Sequence, residues 1–186
     1  MRRISLKDAL GSESLVGRSM AIEHFPKIVA LAFGGDKDET IIWDFGDVDL
    51  ATASYIGGTF VPLIRMVTSG KLARYFVFAN LNEHCQDEFS LVFEAEKLAA
   101  LCLQEKEEGH GGDSKIIGHL DPAYRDTLAT VLAKGRVSAA MLQGGKERQD
   151  KVKRTTRIKR LTTLVSQGLL RRMKVGREYV YEATYN

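Results

Sequence analysis

The chain has 186 residues, enough for one domain or two small ones, and its apolar fraction of 44% is ordinary for a globular protein. No apolar run approaches the roughly 20 residues of a membrane-spanning helix, and the basic N-terminus has no apolar segment behind it, so we expect neither a membrane protein nor a secreted one. The formal charge of +3 is small for this length. The two cysteines are too few for a disulfide framework, and this predicts a cytoplasmic protein.

Residues 1–120 alternate between helical and strand-like patterns. Apolar residues at helical spacing predict a helix over 16–33, and a run of β-branched and aromatic residues at 40–45 predicts a buried strand. The further expected elements are a helix over 55–68, a strand over 73–81, a helix over 83–97, and short strands over 99–104 and 115–119. Because strands and helices alternate, we expect an α/β fold.

The succession of a helix, the sequence IIWDFGDVDLATAS, a second helix and the strand YFVFANL resembles the STAS-like family, relatives of the anti-anti-sigma proteins. The resemblance covers residues 1–120 and implies a mixed sheet with helices and a regulatory role. In anti-anti-sigma proteins, the loop after the first of these strands carries an Asp-Ser pair, and a partner kinase phosphorylates the serine. Here Thr52 stands at the aspartate position and Ala53 at the serine position, with Ser54 next to it. Thr52 and Ser54 form a possible regulatory loop, although we expect their hydroxyl groups to cap the following helix.

The rest of the chain differs sharply in charge. Residues 122–186 carry 15 basic and five acidic residues, a formal charge of +10. Residues 1–121 carry 12 basic and 19 acidic residues, a formal charge of −7. A basic module joined to an acidic one predicts a polyanionic partner, nucleic acid, for the basic part alone.

The basic part has the pattern of helices followed by a hairpin. Asp121 and Pro122 are typical of a helix start, and Gly135 is typical of its end. The elements expected after it are a short strand at 136–137, a brief helix over 139–142, a longer helix ending at Gly168 and a hairpin around 175–177. In the longer helix, four apolar residues are spaced to face the core, namely Ile158, Leu161, Leu164 and Val165.

Three helices and a two-stranded hairpin, with the segment RTTRIKRLTTLVSQGLLRRMKVGREYVY, resemble the winged helix-turn-helix family of DNA-binding regulators. The resemblance covers about residues 122–183, within a domain expected over 121–186, and implies a small α+β fold whose recognition helix lies in the major groove of double-stranded DNA. If the apolar side of that helix faces the core, its polar residues project outward or flank the exposed face. The predicted DNA-binding residues are Lys151, Lys153, Arg154, Thr155, Thr156, Arg157, Lys159, Arg160, Arg171, Arg172, Lys174 and Arg177.

Different roles are expected within this set. Arg157 and Arg160 are expected to read bases, because arginine can form two hydrogen bonds to guanine. Lys151 is expected to contact phosphates and to add affinity without sequence preference. The cations of the hairpin are expected to reach adjacent phosphates or the minor groove.

No pattern in the sequence points to catalysis, a cofactor or a metal. The pair His84 and Cys85 has no second ligand pair at the spacing of a zinc site, and there is no set of nucleophile, base and orienting residue. We therefore expect a DNA-binding transcriptional regulator that is not an enzyme, with a STAS-like domain for regulation, partner binding or homodimerisation. One alternative is a protein-interaction switch in a partner-kinase or anti-sigma network, with the basic domain as a nonspecific tether. Another is binding of RNA or of DNA without sequence preference.

Overall fold

The computed structural model describes residues 1–68, 74–104, 113–144 and 153–185. The chain forms two compact units, Met1–His119 and Leu120–Asn186. The described residues contain six α-helices. Within the described ranges, no helix combines the length and the hydropathy required to cross a membrane.

The first unit contains, in chain order, β1 (Arg2–Ser5), α1 (Leu6–Leu10), β2 (Ser14–Leu15), α2 (Gly17–Phe33), β3 (Thr40–Asp44), β4 (Leu50–Ala51), α3 (Ala53–Thr68), β5 (Tyr75–Ala79), α4 (Glu83–Ala95), β6 (Ala99–Gln104) and β7 (Asp113–Gly118). Its main sheet has the strand order β1-β3-β5-β6-β7. The first four strands are parallel, and β7 is antiparallel to β6. Strands β2 and β4 form a separate parallel pair. The prediction of an α/β fold with a mixed sheet is confirmed.

Helices α2, α3 and α4 contribute to one core with alternate residues of the main sheet. Trp43 of β3 and Phe78 of β5 point into this core and are fully buried. The ring of Phe60 in α3 lies 5.7 Å from that of Trp43, and the ring of Phe89 in α4 lies 4.8 Å from that of Phe78. Burial of each such side chain stabilises the folded state by roughly 1.5–3 kcal/mol. These contacts therefore hold α3 and α4 against the sheet.

Strand β7 ends at Gly118, where the chain passes close to α4. Gly118 has a φ of +82°, a conformation that is strained for any residue with a side chain. A Cβ atom at this position would also meet the carbonyl oxygen of Leu98 and, at 2.5 Å, the Cβ of Phe93. The position therefore requires glycine for two separate reasons.

The second unit contains α5 (Pro122–Lys134), β8 (Arg136–Ser138), a 3₁₀ turn (Met141–Gly144), α6 (Arg154–Ser166), β9 (Leu170–Val175) and β10 (Glu178–Ala183). Its strands form one antiparallel sheet in the order β8-β10-β9. Leu128 of α5, Leu161 and Leu164 of α6, and Tyr181 of β10 are at most 2% exposed. The unit thus has two helices and a three-stranded sheet around an apolar interior.

The segment after β8 differs from the prediction. Residues 139–140 form a turn, and a single 3₁₀ turn takes the place of the brief α-helix expected over 139–142. Ser138 pairs with Val180 in the sheet, so it extends the strand by one residue beyond the predicted 136–137.

Candidate nucleic-acid interface

The buried side of α6 is formed by Arg157, Leu161 and Leu164, each at most 7% exposed. Spaced by four and three residues, these side chains lie on one face of the helix. The predicted orientation is therefore wrong at two positions. Arg157, expected to project outward, is buried, and Ile158, expected to face the core, is 40% exposed. Relative to the predicted orientation, α6 is rotated about its own axis by roughly 50°, which is half of the 100° between successive residues of a helix.

Arg157 can occupy a core position because its methylene groups pack like an aliphatic side chain. Its Nε atom has no hydrogen-bond partner among the residues that the structure describes. A buried donor without a partner costs about 1–3 kcal/mol. In this structure Arg157 belongs to the packing of α6, and its burial argues against a contact with bases.

The exposed side of α6 consists of short side chains around one lysine. Lys159 points away from the buried side, and Thr155 and Thr162 lie one turn before and after it. All three are exposed. Arg154, which is exposed, and Arg160, which is partly exposed, lie on opposite flanks of this surface, about 120° to either side of its centre. Short neutral side chains and one cation thus occupy the middle of the surface, between two arginines.

The hairpin of β9 and β10 presents further cations on one of its faces. Lys174 pairs with Tyr179, and alternation along the strand places Arg172 on the same face. The guanidinium carbon of Arg172 lies 4.5 Å from the centroid of the Tyr179 ring, a cation–π contact that orders both side chains. Arg177 is exposed at the tip, next to Gly176, which has the φ of +61° that the turn requires.

Arg171 lies on the opposite face of the hairpin. Its partner in register is Glu182, which also pairs with Arg136 of β8. Arg136 donates to Glu182 Oε2 from Nε at 2.9 Å and from Nη2 at 2.7 Å. Glu182 is only 5% exposed. The negative charge of Glu182 compensates the positive charge of Arg136. Because Arg171 lies beside Glu182 in the sheet, its position suits a structural role for Arg171.

A cleft of about 130 Å³ lies between α6 and the hairpin. Arg154 and Ile158 of α6 line one side, and Arg177 and Tyr179 of the hairpin line the other. The exposed sides of the helix and of the hairpin are therefore parts of one surface. We call this surface the basic face, and its members are Arg154, Thr155, Ile158, Lys159, Thr162, Arg172, Lys174, Arg177 and Tyr179.

The predicted DNA-binding residues divide into several groups. Arg160 and Arg171 are partly buried, Arg157 is buried, and Lys151 lies outside the described residues. The exposed members of the set are Lys153, Arg154, Thr155, Thr156, Lys159, Arg172, Lys174 and Arg177. Ile158 and Tyr179 were not among the predicted residues of this surface, and the spacing of apolar residues in the helix had assigned Ile158 to the core.

The possible regulatory loop lies at the start of α3 in the first unit. Thr52 Oγ1 accepts a hydrogen bond at 3.0 Å from the N–H of Gly17, the first residue of α2. The N–H of Ala53 donates to Glu88 Oε2 of α4 at 2.8 Å. Thr52 therefore caps α2, and Glu88 caps α3, which corrects the expected capping. Ser54 is exposed, with its Oγ 3.2 Å from Thr52 Oγ1.

The two cysteines are unsuited to nucleophilic chemistry. Burial raises the pKa of the Cys102 thiol to about 11 and also raises the pKa of the Cys85 thiol. Both thiols are protonated at neutral pH, and the thiol is a much weaker nucleophile than the thiolate. In the part of the chain that the structure describes, no three His, Cys, Asp or Glu side chains are placed to hold a metal ion.

No protein-family model matches this chain, and no curated protein or solved structure matches it. What the basic face binds must therefore follow from its own shape and charge.

Proposed function

We propose that this protein is a transcriptional regulator that binds double-stranded DNA. The second unit would be its winged helix-turn-helix domain, and the first unit a STAS-like regulatory domain. The observation that carries the proposal is the basic face, in which an exposed helix surface and a cationic hairpin border the same cleft. The formal charge of +10 over residues 122–186 suits a polyanionic partner.

Helix α6 has the size and the chemistry to enter the major groove. An α-helix with its side chains is about 10–12 Å wide, and the groove of B-DNA is about 12 Å wide. Lys159 at the centre of the exposed side can donate to guanine O6 or N7, and Thr155 can bond to several base edges. Arg154 and Arg160 on the flanks can bind phosphates of the two strands that border the groove. Base readout is thus assigned to Lys159 and the threonines, in place of Arg157.

The hairpin supplies contacts that do not depend on sequence. Arg172, Lys174 and Arg177 are exposed on the hairpin face and at the tip, where they can bind the phosphates next to the groove that α6 occupies. Each phosphate that a cation neutralises releases counterions from the DNA. The proposal therefore requires an affinity that falls steeply as the salt concentration rises.

The first unit is assigned a different partner because of its charge. Residues 1–121 carry 19 acidic and 12 basic residues, and this excess of negative charge repels DNA. Regulation, binding of a protein partner, or homodimerisation is the role that we propose for it.

The proposal is tested by selecting bound sequences from a random pool of duplexes, followed by titration of the best sequence at several salt concentrations. We expect one preferred sequence and a slope of log affinity against log salt of about −0.9 for each phosphate contacted. Lys159→Ala should weaken binding of this sequence about 5- to 150-fold, the range for loss of a base contact. Lys27→Ala removes an exposed lysine of α2 in the first unit and should leave the affinity unchanged.

The same experiment separates specific from nonspecific binding. Competition with single-stranded DNA and RNA should leave most of the duplex complex intact. Equal competition by all three nucleic acids, or a pool with no enriched duplex, would refute the regulator and favour a nonspecific nucleic-acid tether.

A second candidate function is a STAS-type switch in a partner-kinase network. It is favoured by the position of Ser54, which is exposed in the first turn of α3, where the helix dipole stabilises a phosphate group. The carboxylate of Glu88 already binds the first N–H of that helix, and it would repel a phosphate. Intact mass and peptide mapping of protein purified from cells would reveal phosphate at Thr52 or Ser54, and an unmodified loop would count against the switch.

A further inference from the structure

Ile158 is the apolar residue of the helical part of the basic face. Its side chain is 40% exposed and lines the cleft together with Tyr179. Thr155 lies three residues before it and Thr162 four residues after it, and both are exposed. Because residues at these spacings are neighbours on a helix, α6 presents a row of three side chains that carry methyl groups.

The exposure of Ile158 accompanies the burial of its neighbour Arg157. The adjacent Arg157 occupies the core position, although a rotation of α6 by part of a turn would exchange the two residues. The observed orientation leaves an isoleucine in contact with water between Arg154 and Lys159. An exposed apolar side chain next to Arg154 and Lys159 on the helix, on the surface assigned to DNA, is suited to an apolar group on the DNA itself.

Thymine is the base that offers such a group, because its C5-methyl lies on the edge exposed in the major groove. Resting on the proposed function, we infer that Ile158 is a specificity-determining residue that recognises thymine by contact with this methyl group. The isoleucine side chain has no donor or acceptor. Placed against guanine, adenine or cytosine, it would cover polar groups and leave them without hydrogen bonds. The preferred sequence should therefore contain a thymine at the position that faces Ile158.

The test uses the full chain and the sequence obtained from the random duplex pool. Each thymine of that sequence is replaced in turn by uracil, which differs only in the missing C5-methyl. At one position, uracil should weaken binding by the wild-type protein about fourfold, the factor expected for burial of one methyl group. Ile158→Ala should bind the thymine and uracil duplexes equally. Leu91→Ala, which shortens a side chain of α4 that is 66% exposed, should keep the fourfold ratio.

Two results would overturn the inference while the proposed function stands. One is a wild-type protein that binds the selected sequence and is insensitive to uracil at every position. The other is an Ile158→Ala variant that keeps the full ratio. A pool with no enriched duplex would overturn the proposed function and the inference with it. Urea unfolding of Ile158→Ala and wild-type protein should coincide closely, which excludes a loss of fold as the cause of a changed ratio.

Discussion

Replacement of Arg157 by methionine should stabilise the protein. Arg157 is 7% exposed, and its Nε has no hydrogen-bond partner among the described residues. Leaving such a donor unsatisfied costs about 1–3 kcal/mol. Methionine keeps an unbranched apolar side chain that adapts to the same space, so little packing is lost. We expect the free energy of unfolding to rise by about 1–2 kcal/mol.

Urea unfolding followed by circular dichroism measures this change, and titration with the selected duplex measures DNA affinity. Lys159→Met is the matched control, because it also removes one positive charge from α6, but from the exposed side. The control should change stability by no more than about 0.5 kcal/mol and should weaken DNA binding. Arg157→Met should keep the affinity for DNA within about threefold of the wild-type value. This corresponds to a loss of about 0.7 kcal/mol or less in binding free energy, as expected when the removed charge is buried and does not contact the DNA. A loss of stability in Arg157→Met, or a loss of affinity as large as that of Lys159→Met, would refute the assignment of Arg157 to the core.

Two further predictions concern the first unit. Gly118→Ala should lower the free energy of unfolding by about 3 kcal/mol or more, because it adds a steric clash to a strained φ. Gly11→Ala has a similar φ of +74°, in the left-handed helical region, but no atom within 4 Å of the added Cβ, so it should cost only about 1–2 kcal/mol; equal losses in urea unfolding would contradict this account. The stability of the wild-type protein should also fall as the pH rises from 8 to 10.5, because the thiol of Cys102 loses its proton near pH 8.5 in the unfolded chain and only near pH 11 in the folded one. The loss should exceed that of Cys102→Ala by about 2 kcal/mol, and parallel pH profiles would show that this thiol is not the cause.

Strands β3 and β5 in the interior of the main sheet could be predicted because they are nearly continuous apolar runs. In Thr40–Asp44 and Tyr75–Ala79, four of the five residues are buried. Strands with both faces covered lose the alternation of polar and apolar residues and appear as short runs between turn residues. Such runs are distinct when helical patterns lie between them, so β3, β5 and the helices next to them followed from the sequence. Strand β1, whose sequence RRIS begins with two arginines, and the short strands β2 and β4 were not predicted.

The orientation of α6 could not be predicted, because two residues reverse the usual relation between hydropathy and burial. Leu161 and Leu164 are buried in the predicted and in the observed orientation. The choice between these orientations depends on Arg157 and Ile158, which are adjacent in sequence. Hydropathy selects the isoleucine for the core, whereas the structure buries the arginine stem. Only the packing of α6 against the rest of its unit decides between them.

The cap of α3 could not be predicted for a different reason. Local rules assign a helix cap to a hydroxyl group near the first turn, and Thr52 and Ser54 satisfy that rule. In the structure, the first N–H of α3 bonds to Glu88, which is 35 residues away in sequence from Ala53. A contact of this range depends on the docking of α4 and leaves no signal near the helix that it caps.

The strand order of the main sheet has a consequence for synthesis of the protein. Strands β1, β3, β5 and β6 lie side by side in the order in which they occur along the chain, and β7 completes the row. A nascent chain can therefore extend the sheet at one edge as each strand leaves the ribosome, and no later strand has to insert between two earlier ones. At about 5–20 residues per second, translation of the 67 residues of Leu120–Asn186 takes roughly 3–13 s. Small domains commonly fold within milliseconds to seconds, so the first unit has time to fold before synthesis of the second unit is complete.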